Sequence, residues 1–159
     1  MRLVPDALVD LAPGRHLSTA PAVFVCSRNS ARSQLAAALW TDRTGAPATS
    51  AGTEPADRVH PGAIAAADRA GLDLHRATPR QLEPSDAERQ VITVCDRAHE
   101  ELSPQPDWLH WSLPDPVEVG SDDAFDATIE RLRHRIDAAT HRSGDIATEN
   151  HDRNERNTP

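Results

Sequence analysis

Short apolar runs alternate along the chain with stretches of helical spacing. Residues 22–26 (AVFVC) are continuously apolar and rich in Val, as a strand covered on both faces should be. A polar loop follows, and residues 33–41 (SQLAAALWT) supply the Ala and Leu of a strong helix former. Residues 49–52 offer a short second strand. Residues 61–70 (PGAIAAADRA) read as a helix with Pro in its first turn and Gly71 just past its end. Residues 90–95 (QVITVC) repeat the buried-strand pattern, and residues 108–113 give a weaker strand that stops at Pro114. From Asp122 onward, Phe125, Ile129, Leu132 and Ile136 recur at i, i+4, i+7 and i+11, one stripe of a terminal helix. Strands alternating with helices predict an α/β fold, a parallel sheet with helices on both faces. Such sheets bind ligands at the carboxyl ends of their strands.

The two ends break this pattern. Residues 1–20 are interrupted by Pro5, Pro13 and Gly14 and predict an N-terminal extension. Residues 143–159 are almost wholly polar and cannot offset the entropy of ordering, which predicts a disordered tail. A single domain over residues 21–142 remains, and a chain of 159 residues has room for one core. Composition then excludes several classes. Two cysteines, Cys26 and Cys95, are too few for a disulfide scaffold or a Cys-rich zinc module and fit a reducing compartment. No run approaches the roughly 18 apolar residues of a membrane span, and the start lacks a leader pattern, so the expectation is a cytoplasmic protein without membrane contact. A net charge of -8 opposes nucleic-acid binding. The eight His show no paired ligand spacing, and no metal site is predicted.

Chemistry concentrates in the loop after the first strand, Cys26-Ser27-Arg28-Asn29-Ser30-Ala31-Arg32-Ser33. A short turn between strand and helix aims backbone N–H groups into one concavity, and the helix dipole adds positive potential there. Such a cradle suits an oxyanion, and Arg32 adds a planar fork of donors for two oxygens of a tetrahedral anion. Cys26 lies at its floor. Lowering a thiol from ~8.5 by two or three units is worth ~3 to 4 kcal/mol, and the expectation is a Cys26 thiolate ready at neutral pH. Asp115 follows the last strand between Pro114 and Pro116, at the same sheet edge, and is the candidate acid for a departing oxygen.

These residues resemble a known family. VFVCSRNSARSQLAAAL looks like the signature of the low-molecular-weight tyrosine phosphatase superfamily, specifically its arsenate reductase branch. The likeness continues through SAGTEPADRVHPGAIAAADRAGLDL and VITVCDRAHEEL to WSLPDP, about residues 22–142. It implies a four-stranded parallel sheet of order 2-1-3-4, with Cys26 as nucleophile, Arg32 as oxyanion binder, Asn29 and Ser33 shaping the loop, and Asp115 as acid. Ser27, Arg28, Ser30 and Ala31 complete the implied oxyanion loop.

The resemblance leaves two reactions that begin alike, with thiolate attack on a bound oxyanion. A phosphatase hydrolyses its thiophosphate with water, whereas a reductase needs a second thiol. Gln34 stands as in the reductases, where phosphatases usually carry Pro, and the chain has no Tyr to wall a phosphotyrosine pocket. In the family's strand order Cys95 ends a strand beside that of Cys26, within bridging reach, and is the candidate resolving thiol. Thioredoxin-linked reductases place a further Cys seven residues later, where this chain has Leu102. The reading is therefore arsenate reduction with an external thiol, either mycothiol with mycoredoxin or thioredoxin. The alternatives are phosphomonoester hydrolysis by the same residues and an idle oxyanion-binding regulatory module. Three departures bear on the loop: Arg28 is often Gly in the family, Ala31 replaces a second loop Cys, and Ala37 stands where some reductases use Glu to help bind potassium.

Overall fold

The computed structural model describes residues 20–155, with side chains as far as residue 140. The expected extension over residues 1–20 therefore lies outside the described residues, Ala20 apart. Strand β1 is Ala22–Cys26, and all five of its residues are buried. β2 is Ala48–Gly52, β3 Gln90–Thr93 and β4 Leu109–His110. They form one parallel sheet in the order β2-β1-β3-β4. This is the predicted α/β architecture. Register sets Cys26 opposite Gly52 and Val25 opposite Thr93, so the loops after β1, β2 and β3 leave the sheet at one edge.

Helix α1 is Arg32–Thr44, one residue earlier and three later than its apolar pattern suggests, and it stops where Gly45 takes a left-handed conformation (φ 74°). α2 is Pro61–Arg69, a 3-10 turn spans Pro84–Glu88, and α3 is Asp96–Glu101. α4, Pro116–Val119, and α5, Asp122–Glu155, complete the chain. The stripe of Phe125, Ile129, Leu132 and Ile136 is buried, each side chain contributing about 1.5–3 kcal/mol relative to exposure. Phe24 anchors the core, its ring 6.0 Å from Trp40 and 5.8 Å from Trp111.

Two strand expectations need correction. β3 ends at Thr93: Val94 still donates its N–H to the Val25 carbonyl at 2.8 Å, but Cys95 turns off the sheet and becomes the cap residue of α3, a six-residue helix without an apolar period to reveal it. β4 is a two-residue strand, shorter than residues 108–113. The backbone of α5 is helical as far as Glu155 and so runs on into the polar segment that begins at residue 143. Among the described residues, no helix is long and apolar enough to cross a membrane.

Gly52 couples this scaffold to the loop after β1. A Cβ there would lie 2.7 Å from the Ser27 carbonyl oxygen and 3.0 Å from Asn29 Cβ, both parts of a tightly bonded turn. Gly52→Ala is expected to cost about 1–3 kcal/mol of stability by overpacking and to weaken phosphate binding with it. Denaturant unfolding with phosphate titration checks both.

Candidate active site

The loop from Cys26 to Ser33 contains no glycine, and Asn29 supplies the positive φ (50°) that closes it, a conformation Asn tolerates better than most residues. Its carbonyls turn away from the centre. Those of Cys26, Ser27, Arg28 and Ser30 accept from the N–H groups of Thr53, Glu54, Ala56 and His60 at 2.8–3.2 Å. With the carbonyls spent on the β2–α2 connection, the loop's own N–H groups are left for the concavity, and that of Asn29 donates to Cys26 Sγ at 3.2 Å. The loop thus closes around Cys26 Sγ without a glycine.

Cys26 Sγ also lies 2.9 Å from Ser33 Oγ, and Asn29 Nδ2 donates to that hydroxyl at 2.7 Å. Burial works against the expected depression of the thiol pKa. Burial pushes the Cys26 thiol above its ordinary value; hydrogen bonds from Ser33 pull the other way, nearby Cys95 adds to the rise, and Arg32 opposes it. Sequence reasoning counted the donors and missed the desolvation of a sulfur 2% exposed. Since only the thiolate alkylates, iodoacetamide labelling of Cys26 is expected to be slow at pH 7 and to climb about tenfold per pH unit into the alkaline range. Ser33→Ala should move the inflection higher still. A rate already level at pH 7 in the native protein would contradict the assignment.

A cavity of about 480 Å³ opens above the sulfur. Cys26, Arg28, Ser30, Ala31 and Arg32 line its floor, and Arg58, His60, Val117 and Asp115 stand among its walls. Arg32 donates to the Leu113 carbonyl at 3.0 Å and lies 3.6 Å from Asp115 Oδ2, which brings the proposed oxyanion binder and acid together. Asp115 Oδ1 accepts from Val117 N–H at 3.0 Å, so the carboxyl caps α4 while facing the cavity. Of the remaining predicted site residues, Ser27, Asn29 and Ser33 lie behind the loop, where Asn29 and Ser33 brace it. Cys95 lies behind it too: its Sγ is 3.5 Å from Ser27 Oγ and accepts from Ala98 N–H at 3.3 Å. Both cysteines are free thiols.

The sequence did not mark Arg58, which only the folded chain brings to the mouth; Val117 stands there too, just after the Asp115-Pro116 pair, where the resemblance sets the tyrosines of a phosphotyrosine pocket. His60 carried a weak signal, its place before Pro61; its Nδ1 caps α2 by accepting from Gly62 N–H at 3.0 Å. His99 is not at the cavity but stacks on His110, ring centroids 4.1 Å apart.

Known proteins resemble this chain in sequence and fold. The chain is 35% identical over 105 residues, 59% of its length and 76% of the relative's, to a protein named glutaredoxin arsenate reductase from Synechocystis sp.. A solved arsenate reductase in a phosphate-binding state is 29% identical, with a TM-score of 0.62 over 74% of this chain and 93% of that one. A tyrosine phosphatase from Erwinia amylovora shares the fold at 18% identity, with a TM-score of 0.65 over 75% and 89% of the two chains. Residues 22–143 match the family described as low molecular weight phosphotyrosine protein phosphatase, and the chain belongs to that family.

Proposed function

We propose that the protein reduces arsenate to arsenite, with Cys26 as nucleophile and an external thiol as the source of electrons. The observation that carries this reading is the second buried thiol, Cys95, 3.5 Å from the hydroxyl of the residue that follows Cys26. Hydrolysis has no use for it, whereas reduction needs another sulfur. The reductase names among the relatives, the Gln34 that follows the loop and the absence of Tyr support the same choice.

In this scheme arsenate seats in the loop, its oxygens on the inward N–H groups and Arg32. Cys26 Sγ bonds to arsenic and an As–O bond breaks; the departing oxygen collects the thiol proton and one from the acid form of Asp115 and leaves as water. A raised thiol pKa suits this order, because the proton stays with Cys26 until the oxyanion arrives to take it up. A second thiolate then attacks Cys26 Sγ. The S–S bond forms, the S–As bond breaks with its electron pair left on arsenic, and As(V) departs as As(III). Two thiols become one disulfide for each arsenate reduced.

Cys95 is the first candidate for that second thiol. Leu102, which ends α3 and packs partly buried on the core, offers no further sulfur. The Cys26–Cys95 disulfide must then be opened from outside, by mycothiol with mycoredoxin or by thioredoxin. Phosphomonoester hydrolysis is the second reading, favoured by a cavity far larger than a tetrahedral anion and within the range of small-molecule pockets.

Incubation with arsenate and each thiol system, with arsenite assayed, tests the first reading. Turnover is expected with at least one system, and Cys95→Ser should lower the thioredoxin-driven rate by roughly a hundredfold or more, as for loss of a nucleophile. Brisk cleavage of para-nitrophenyl phosphate with arsenate left intact would hand the site to the second reading.

A further inference from the structure

Gln34 is buried in the first turn of α1 and takes no part in lining the cavity. Its amide nitrogen lies 3.1 Å from the Asn29 carbonyl oxygen and 3.2 Å from Asn29 Oδ1. The backbone N–H of Arg80 lies 3.0 Å from the same Oδ1. These contacts settle which way the amides face. A backbone N–H only donates and a backbone carbonyl only accepts, so the Asn29 atom facing Arg80 is oxygen and the Gln34 atom facing the Asn29 carbonyl is nitrogen. Asn29 Nδ2 is then left to donate to Ser33 Oγ, 2.7 Å away. Accepting from Asn29 leaves the Ser33 hydroxyl its own hydrogen to direct at Cys26 Sγ, 2.9 Å away, the arrangement that suits an ionised sulfur.

The result is a one-way chain: Gln34 and Arg80 donate to Asn29, Asn29 donates to Ser33, and Ser33 donates to the sulfur. Cys26 Sγ receives a second donor from Asn29 N–H at 3.2 Å. Donors from Ser33 and from the Asn29 backbone stabilise the anion of this sulfur and oppose the effect of its burial. Arg80 is itself anchored. Its carbonyl accepts from Gly52 N–H at 2.9 Å, and its guanidinium forks onto Asp86 at 2.8 and 3.0 Å, a carboxylate 5% exposed.

We infer that Gln34 and the Arg80 backbone are positioning groups that set the direction of this chain and so favour the Cys26 thiolate; the inference rests on Cys26 being the nucleophile. It assigns a function to Gln34 that a proline at this position, lacking any side-chain donor, cannot perform.

Two variants of the full chain test it. Gln34→Glu keeps the shape and sets an oxygen against the Asn29 oxygens; Gln34→Met keeps the volume with no donor. In each, the inflection of iodoacetamide labelling, assigned to Cys26 by peptide mass mapping, is expected to rise about one pH unit. The rate at pH 7.5 and kcat/KM for arsenate should fall about tenfold together. Lower activity with an unmoved inflection makes Gln34 a packing residue and overturns the inference, as do unchanged rates. A measurement on the native protein guards against variants that unfold: the side-chain amide NMR signals of Gln34 and Asn29 should exchange slowly and shift as Cys26 titrates. Fast exchange, or signals indifferent to that titration, overturns the inference as well. If Cys26→Ser still makes arsenite, the nucleophile assignment falls, a result separate from any of these.

Discussion

Cys26→Ser is expected to remove arsenite formation, by on the order of 10⁴-fold or more, while leaving phosphate binding nearly intact. The loss has two parts. A serine hydroxyl in this position ionises far less readily than a thiol, so attack on arsenic slows by the scale typical of a deleted nucleophile. The second part is absolute: an O–As bond offers no sulfur for a resolving thiol to attack, so no electron pair can be left on arsenic. Binding should survive because the cradle does not depend on the sulfur. Its carbonyls are fixed by Thr53, Glu54, Ala56 and His60, and Arg32 is held by the Leu113 carbonyl. Arsenite assay with excess thiol reports the first effect, and calorimetric titration of phosphate reports the second. Reduction within tenfold of the native rate would take Cys26 out of the mechanism.

The legible part of the molecule was what local pattern carries. β1 declared itself because a strand buried on both faces has no polar residue to interrupt it, and α5 because a single stripe faces the core. Cys26, Arg32 and Asp115 could be proposed because short loops at one sheet edge must converge, and the cavity contains all three. What stayed hidden depends on contacts between distant segments. Arg58 reaches the mouth only after β2 is laid beside β1. The polarity of the chain through Gln34, Asn29 and Arg80 depends on a residue 51 positions beyond Asn29 in sequence. QVITVC is apolar throughout and so predicts a strand as far as Cys95, yet the pairing stops short of Cys95 and its sulfur caps α3 instead. The rise of the thiol pKa is hidden for a related reason: donors can be counted along a sequence, whereas the loss of water around a buried sulfur cannot.

Asp115→Asn is expected to lower kcat for arsenate by 10²- to 10⁴-fold, the usual worth of a positioned general acid. The substitution is chosen to spare the scaffold. An asparagine Oδ1 can still accept from Val117 N–H, as Asp115 does at 3.0 Å, so the cap of α4 is kept. What disappears is the transferable proton. It also removes the carboxylate 3.6 Å from Arg32, leaving the guanidinium freer for an anion, so KM should stay level or fall. The leaving group then separates acid catalysis from a structural fault. Arsenate must expel a poor leaving oxygen that needs a proton, whereas para-nitrophenyl phosphate expels a phenolate that departs without one. A large loss with arsenate beside a small loss in any nitrophenyl cleavage places the proton on Asp115. Equal losses with both, or a KM that climbs together with a fall in melting temperature, would show that the carboxyl serves α4 and Arg32 rather than the departing oxygen.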